Sequence, residues 1–299
     1  MEVQKQEQKY SPPDLRINWI RGLAENFDFS APNVLFALGV RGAGKSVFLE
    51  VLGEWELHMG NSIFDLFGAS SGEGLAWLRS YWVLEEKLPV LLIRGEHITL
   101  EFKYERYEHK SWKDIDLEDF EKYKIIVSAS PLYFDRNEEF VASGHMLNLL
   151  FERQGWNRHI YLVVREASNL FYSRFKLSAG QLDPKAKGIY LMRESRHHGL
   201  SLGLDSQKNT SIDTDIRALC DYIVFKSQGL FSIPSEFNFL YGYFKPVWLR
   251  NMKKNQFAVI TKKGSLGIGV NGYNSWHKAE KEHLLQGLGI KVNKPKSQE

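Results

Sequence analysis

An eight-residue segment near the amino terminus has the composition of a phosphate-binding loop. Residues 39–46 are G-V-R-G-A-G-K-S, which fits the spacing G-x-x-x-x-G-K-S. Glycines at these positions let successive backbone N–H groups turn inward around a phosphate. Lys45 can then reach the β and γ phosphates of a nucleoside triphosphate such as ATP, and the hydroxyl of Ser46 can hold Mg²⁺. We therefore predict a nucleotide site formed by Gly39, Arg41, Gly42, Ala43, Gly44, Lys45, Ser46 and Val47.

The residues on both sides of this loop support the prediction. The run NVLFAL (33–38) is apolar without polar alternation, which is typical of a strand buried on both faces of a parallel sheet. The segment KSVFLEVLGEWELHM (45–59) has helical spacing. A helix that starts at the loop directs its N-terminal donors at the same anion. A glycine turn with a chance G-K-S sequence would not need a buried strand before it and a helix after it, so this alternative is disfavoured.

Hydrolysis of a bound nucleotide also requires carboxylates, and two are suitably placed in the sequence. The apolar run IYLVV (160–164) is followed by Arg165 and Glu166. Glu166 would lie at the carboxyl end of a strand and could polarise an attacking water as general base, unless it only begins the next helix. An acid that organises magnesium usually precedes it, but Arg165 is present instead. Asp65, in the run SIFDLF (62–67), is the candidate replacement, although a surface acid is an equal alternative.

Other polar residues could complete such a site. Gln207 follows the predicted strand LSLGLDS (200–206) and could sense the γ phosphate or orient water, or simply face solvent. Arg193 and Arg196 lie one turn apart on a predicted helix and so share a face, and Arg217 follows nearby. An arginine offered across a subunit interface raises the rate of phosphoryl transfer by roughly 10³–10⁵. Plain surface charge is the alternative for each of the three.

Composition restricts the class of protein. The chain has 299 residues, with 39 Lys and Arg against 36 Asp and Glu, for a net charge of +3. Hydrophobic residues make up 43% and charged residues 25%, which excludes a disordered or collagen-like chain. With so small a net charge, any contact with nucleic acid must come from a local surface. A single cysteine, Cys220, excludes an internal disulfide. The polar start of the sequence and the lack of a long apolar run predict no secretory signal and no membrane span. We expect a cytoplasmic protein, of a cell or of a virus-infected host.

The order of apolar runs predicts an α/β protein with a mostly parallel sheet. Strands alternate with helices at the spacing of such folds, and further strands are predicted at 89–94, 124–129 and 221–227. A short helix is predicted at LRINWIRGLAENF (15–27). We divide the chain into a leader with that helix (1–30), a nucleotide-binding core (31–229), and C-terminal strands and helix completing the core with a flexible tail (230–299).

The order of these motifs resembles the FtsK/HerA superfamily of DNA-pumping P-loop ATPases. The resemblance covers about residues 33–228, and the segments LMRESRHHGLSLGLDSQ and TDIRALCDYIVFK make it specific. It implies a RecA-like, mostly parallel central sheet flanked by helices, ATP and Mg²⁺ as ligands, and a ring, typically hexameric, that threads duplex DNA. The residues that match the pattern of the family are Arg193, Arg196, His198, Gln207, Ile216, Arg217, Asp221, Tyr222 and Ile223.

The leading hypothesis is an ATP-dependent DNA translocase or genome-packaging motor. A motor of this family with so short a chain resembles the genome-packaging ATPases of viruses or the ATPases of mobile elements. Arg165 departs from the family, which has an aspartate there, and favours an alternative: a nucleotide-binding switch or scaffold with weak or no hydrolysis. A small-molecule kinase is disfavoured, since no recognisable cluster of lid arginines follows the core. The stretch KPVWLRNMKKNQF (245–257) mixes cations with aromatic residues and could face DNA, or be an ordinary exposed edge.

Overall fold

The computed structural model describes most of the chain between residues 10 and 295. The described ranges are 10–22, 27–67, 72–103, 107–171, 182–207, 218–229, 233, 235–274, 276 and 284–295. No helix in these ranges combines the length and the apolar character that crossing a membrane requires.

The described residues form an eleven-stranded sheet and a separate two-stranded pair. The strands are β1 (Leu15–Arg21), β2 (Val34–Leu38), β3 (Ser62–Phe67), β4 (Val90–Arg94), β5 (Thr99–Phe102), β6 (Glu108–Ser111), β7 (Ile125–Val127), β8 (Ile160–Val164), β9 (Leu200–Ser206), β10 (Tyr222–Phe225), β11 (Gln256–Thr261), β12 (Leu266–Asn271) and β13 (Ile290–Asn293). The large sheet has the order β1-β12-β11-β10-β2-β9-β8-β3-β7-β4-β6, and β13 pairs with β5.

The large sheet is parallel from β10 to β6 and antiparallel from β10 to β1. The helices of the described ranges are α1 (Lys45–His58), α2 (Tyr81–Leu84), α3 (Leu117–Lys122), α4 (Arg136–Glu152), α5 (Leu182–Glu194), α6 (Pro246–Arg250) and α7 (Leu284–Leu288). Short 3₁₀ segments span Glu73–Arg79, Trp112–Asp114, Ser130–Leu132 and Ser235–Gly242. The predicted α/β class with a mostly parallel sheet is confirmed.

Strand β2 shows why the predicted strands contain unbroken apolar runs. All five of its residues are buried. Phe36 and Leu38 belong to the apolar core on one face of the sheet, where α4 packs, whereas Leu35 and Ala37 belong to the core on the other face, where α1 packs. A strand with helices on both sides has no solvent face, so its polar alternation is lost.

The predicted helix at 15–27 is wrong. Residues Leu15–Arg21 form β1, which pairs antiparallel with β12 at the edge of the sheet. The segment L-R-I-N-W alternates apolar and polar residues with a period of two, and its burial alternates in the same way. That period indicates a half-buried strand, whereas a helix of this length requires apolar residues three and four apart.

The strand order explains how distant residues can share one site. Strand β9 lies between β2, which leads into the glycine loop, and β8, which leads into Arg165 and Glu166. Leu38 at the end of β2 pairs with Ser206 at the end of β9. Ligands of open α/β sheets bind outside the carboxyl ends of the strands, so this edge is the expected location of a nucleotide.

Candidate nucleotide site

Neighbouring strands hold the start of the glycine loop. The backbone N–H of Gly39 donates to the carbonyl of Ser206, at 3.2 Å, and that of Val40 donates to the carbonyl of Ser227, at 3.0 Å. Ser206 ends β9 and Ser227 follows β10, so the strands on both sides of β2 fix the point where the loop leaves the sheet.

The glycines give the loop a shape that other residues would strain. Gly42 and Gly44 have φ values of +77° and +85°, in the left-handed region that favours glycine. A Cβ on Gly44 would also lie 2.6 Å from the carbonyl oxygen of Lys254. Within the described part of the chain, no group accepts a hydrogen bond from the backbone N–H of Gly42 or Gly44. These donors, with the first turn of α1, fit an anionic phosphate group.

The two side chains that close the motif lie against the loop. Lys45 is buried, and its Nζ donates to the carbonyl of Val40 at 3.3 Å. The Ser46 hydroxyl donates to Oε2 of Glu73 at 3.0 Å. Glu73 is only 6% exposed and begins the 3₁₀ segment after β3. Sequence reasoning missed Glu73, because the only signal was its position between two glycines after a buried strand.

Glu166 and Gln207, predicted separately, are in contact. The side-chain Nε2 of Gln207 donates to Oε1 of Glu166 at 2.9 Å. Glu166 has a φ of +47°, which is uncommon for a residue with a side chain and marks a locally strained backbone. Its backbone N–H donates to the carboxylate of Asp205, which holds this conformation. The structure therefore places a carboxylate and an amide together at the ends of β8 and β9.

Asp205 links this pair electrostatically to the phosphate loop. It is buried near the end of β9, and burial raises the pKa of its carboxyl to about 6. The positive charge of Lys45 opposes that shift, while the negative charge of Glu166 reinforces it. The backbone N–H of Glu166 donates to Asp205, and the next residue, Ser206, accepts from Gly39, so Asp205 and Glu166 lie at the same edge of the sheet as the phosphate loop.

Arg165 is the centre of a buried ion network. Its guanidinium donates to both carboxylate oxygens of Asp65, at 2.7–3.2 Å, and to Glu50 on α1, at 2.8 Å. A third carboxylate, that of Glu73, lies 3.6 Å away. Burial disfavours the charge of Arg165, but Asp65 and Glu50 outweigh this effect and raise the pKa of the guanidinium. Asp65 also accepts a hydrogen bond from the Trp77 indole. Its carboxylate is therefore occupied by Arg165 and Trp77, and the predicted role of Asp65 in binding magnesium stays a prediction.

Two of the predicted arginines, Arg193 and Arg196, do not lie beside this phosphate loop. Arg196 pairs with Asp221 at 3.1 Å, and Asp221 accepts the backbone N–H of Val34 at the start of β2. The pair is therefore at the amino edge of the sheet, opposite the nucleotide. Arg193 is exposed on the last turn of α5, which leads into the start of β9. Arg217 lies outside the described residues.

A buried lysine supports the phosphate loop from behind. Lys226 follows β10, and its Nζ donates to Oδ1 of Asn271 at 2.9 Å, above the rings of Phe48 and Phe257. Burial lowers the pKa of Lys226 to about 7. A Cβ on Gly39 would lie 2.8 Å from the Cβ of Lys226. Lys226 is fully buried, so we assign it to the support of the loop rather than to contact with a nucleotide.

The stretch 245–257 lies beside the phosphate loop. The backbone N–H groups of Gln228 and Gly229 donate to the carbonyls of Leu249 and Arg250 in α6. The turn that follows brings Lys254 against Gly44. From its composition, this stretch was a candidate for a DNA-facing surface or for an ordinary exposed edge. The structure places its lysine turn, at Lys254, against Gly44 of the glycine loop.

We expect Lys254→Glu to weaken nucleotide binding roughly fivefold, because reversing a solvent-exposed charge near the phosphates costs on the order of 1 kcal/mol at the dielectric constant of water. Lys262→Glu is the matched control. Lys262 is equally exposed but lies at the opposite end of β11, where its backbone N–H donates to Asp221. Titration of both variants with a fluorescent ATP analogue at low salt measures the difference. Equal losses in the two variants would show only a general effect of net charge.

Among the described residues, no group of three or more His, Cys, Asp or Glu side chains could hold a metal ion by itself. Mg²⁺ at nucleotide sites is usually held by one or two protein groups together with phosphate oxygens. Ser46, with its hydroxyl hydrogen-bonded to Glu73 at the mouth of the glycine loop, fits that mode of binding.

No protein-family model matches the sequence, and no curated protein sequence is significantly similar to it. Solved structures do resemble the chain. The bacterial conjugative coupling protein TrwBdeltaN70, in an unbound form, is 9% identical with a TM-score of 0.57, over 83% of this chain and 86% of that one. The genome-packaging NTPase B204 of Sulfolobus turreted icosahedral virus 2, in complex with AMP, is 16% identical with a TM-score of 0.40, over 88% and 98%. Thermomonospora curvata EccC (ATPases 2 and 3), in complex with a signal sequence peptide, is 11% identical with a TM-score of 0.44, over 84% and 38%.

The likeness to TrwB shows the fold of this chain. Strand order, the glycine loop between β2 and α1, and this structural similarity together define a P-loop NTPase fold. The fold that the order of motifs implied, a mostly parallel sheet flanked by helices, is confirmed.

Proposed function

We propose that the chain is an ATPase that couples hydrolysis to movement of duplex DNA, as a translocase or a genome-packaging motor. The observation that carries the proposal is the contact between Glu166 and Gln207, which follow β8 and β9, at the edge of the sheet where β2 leads into the phosphate loop. A loop that only stored a nucleotide would have no use for a carboxylate held in a strained backbone beside the γ phosphate. The proposed place of action is the cytoplasm of a cell or of a virus-infected host.

The residues of the site divide the work of hydrolysis. Backbone donors of the glycine loop bind the phosphates, and Lys45 neutralises charge on the β and γ groups. A water in line with the γ phosphate attacks phosphorus, its proton passes to the Glu166 carboxylate, and ADP leaves with the electrons of the broken P–O bond. Gln207 orients Glu166 and the water. Mg²⁺, when bound at Ser46, supplies further charge neutralisation.

The proposal of DNA as substrate is supported by the fold, by the FtsK/HerA-like order of motifs, and by the position of Arg193 and Arg196. These arginines lie at the edge of the sheet opposite the chain's own nucleotide site. This position is compatible with contact to a phosphate bound by a second copy of the chain, as in a ring with shared sites. We propose a hexameric ring around duplex DNA.

ATP turnover measured without DNA and with duplexes of increasing length tests this function. A motor grips the phosphate backbone, so we expect stimulation that rises with duplex length and varies little with sequence. Binding should weaken with salt, with a slope of about −0.9 per phosphate neutralised. If duplex DNA at low salt neither binds nor alters turnover, the motor is excluded and only the P-loop fold is left.

The Lys45→Ala variant is expected to bind ATP roughly 10–100-fold more weakly, because a hydrogen bond to a charged group contributes about 1.5–3 kcal/mol. Turnover should be lost with it. Lys263→Ala, which removes an exposed lysine from the turn between β11 and β12, is the control and should retain both properties. Calorimetric titration with a non-hydrolysable ATP analogue measures the affinities. Wild-type affinity in Lys45→Ala would contradict the assignment of the phosphate loop.

A second function, a nucleotide-binding switch with weak hydrolysis, is favoured by one observation. Arg165 is present where related motors carry an aspartate, and its guanidinium is fully engaged with Asp65 and Glu50. A switch would bind ATP and change partners without rapid turnover. Slow turnover that no DNA stimulates, together with tight ATP binding, would select this alternative.

A further inference from the structure

We propose that Glu73 is the residue that prepares Ser46 to bind Mg²⁺, in place of the aspartate that Arg165 has displaced. The proposal rests on the proposed nucleotide site and adds to it a positioning residue that the sequence motifs do not contain. It concerns the metal side of the site, whereas Glu166 and Gln207 concern the attacking water.

The hydrogen bond between Ser46 and Glu73 determines which atoms of the hydroxyl face a metal ion. A serine hydroxyl has one hydrogen to donate and two lone pairs to offer. The Ser46 hydrogen points to Oε2 of Glu73, at 3.0 Å. The lone pairs of Oγ are then free for a cation, and the negative charge of Glu73 makes that oxygen a better ligand. A serine hydroxyl that rotated freely would lose rotational entropy when Mg²⁺ bound, whereas the hydroxyl of Ser46 is already oriented.

Asp65 is less suited to this task than Glu73. Asp65 accepts three hydrogen-bond contacts from Arg165 and one from the Trp77 indole, so its charge is already balanced within the core. Removing one partner from a buried ion pair leaves the other charge buried and uncompensated, so this arrangement is not easily opened for a metal ion. Glu73 lies at the margin of the network, 3.6 Å from Arg165, and is the carboxylate that touches the loop.

The charge of the buried network also favours a cation next to it. Three carboxylates, those of Glu50, Asp65 and Glu73, surround the single guanidinium of Arg165. All four side chains are at most 6% exposed. A buried excess of negative charge is costly unless a positive charge is nearby, and Lys45 and a divalent ion at Ser46 would supply it. Arg165 thus stabilises the network without removing its net negative charge.

The local backbone explains how Glu73 reaches Ser46 from a different element. Gly72 has a φ of +70°, and Gly74 packs so closely on Asp65 that a Cβ there would lie 2.9 Å from its Cγ. The same 3₁₀ segment donates the Trp77 indole to Asp65. These two contacts dock the segment on the end of β3, and Glu73 at its first position then faces α1.

The test compares nucleotide affinity with and without metal. Binding of a non-hydrolysable ATP analogue is titrated in excess Mg²⁺ and in EDTA, for the wild type, Glu73→Gln, Glu73→Asp and the control Glu86→Gln. Glu86 is an exposed carboxylate beyond α2. We expect Mg²⁺ to strengthen binding by the wild type and by the control. Glu73→Gln should lose about 10–100-fold of this strengthening, the usual effect of removing a group that orients a metal ligand. Its affinity in EDTA should match that of the wild type.

Glu73→Asp keeps the charge but shortens the side chain by one methylene, so it should retain part of the effect of Mg²⁺. If Glu73→Gln does not fold, Glu73→Asp decides: a reduced effect of Mg²⁺ supports the proposal, and an unchanged effect overturns it. An unchanged effect in a folded Glu73→Gln, or a wild type whose nucleotide affinity ignores Mg²⁺, also overturns it. A wild type that binds no nucleotide in either buffer would instead contradict the proposed function.

Discussion

Replacing Glu166 by glutamine is expected to reduce ATP turnover by about 10²–10⁴-fold while ATP still binds, because loss of a general base typically has this effect. Glutamine has the size of glutamate and can keep the hydrogen bond to Gln207, but it cannot take a proton from water. The substitution leaves the backbone contact with Asp205 in place. Single-turnover hydrolysis and equilibrium binding of ATP, measured on the same sample, separate the two effects.

Glu86→Gln is a suitable control, because Glu86 is an exposed glutamate beyond α2 and belongs to none of the elements that form the proposed site. Its turnover should equal that of the wild type. Near-normal turnover in Glu166→Gln would mean that another group activates the water. Asp205 would then be the next residue to test, since it is buried beside Lys45 and its pKa, raised to about 6, is close to the operating range of a base.

The parts of this site that are local in sequence were predictable. The glycine loop, Lys45 and Ser46 lie within eight residues, and their spacing alone specifies the chemistry. Glu166 and Gln207 each follow a buried apolar run. Because such runs become neighbouring parallel strands, residues after them are expected at one edge. The structure adds what spacing could not give: the two side chains are hydrogen-bonded to each other.

The ion network was not predictable, because its members come from separate elements. Arg165 follows β8, and its partners lie on α1, at the end of β3 and on a 3₁₀ segment. The pair Arg165–Asp65 is 100 residues apart in sequence. The sequence alone shows only that Arg165 stands at a position of the motif where an aspartate is usual. The structure shows instead that three carboxylates lie around its guanidinium, and that one of them contacts Ser46.

The position of the stretch 245–257 in the fold could not be predicted from its charge and aromatic content. Such composition fits a DNA surface, a subunit interface or a solvated edge equally well. Its position beside the phosphate loop depends on backbone hydrogen bonds from Gln228 and Gly229, which carry no side-chain signal. Strand β1 is a different case, because the alternation of apolar and polar residues with a period of two is present in the sequence. The predicted helix at 15–27 assumed a helical period instead.

Replacing the arginine that acts across the subunit interface is expected to reduce turnover by roughly 10³–10⁵-fold, the contribution of such an arginine to phosphoryl transfer. Arg193, Arg196 and Arg217 are the three candidates, each to be changed to alanine. For Arg196 the fold should survive, because its side chain is 71% exposed and its pair with Asp221 is a surface ion pair worth about 0–1 kcal/mol. Arg16→Ala is the matched control, since Arg16 is an equally exposed arginine paired with Asp14.

Mixing two inactive variants distinguishes an arginine that serves a neighbouring subunit from one that serves its own. Lys45→Ala subunits retain the arginine, and the arginine variants retain the phosphate loop. In a ring with shared sites, random mixing of equal amounts places an intact loop against an intact arginine at about a quarter of the interfaces. Partial recovery of turnover is then expected from two proteins that are each inactive alone. An arginine that served only its own subunit would give no recovery, because no subunit in the mixture carries both groups. If none of the three arginine variants loses activity, the site is complete within one chain and the ring is not required for hydrolysis.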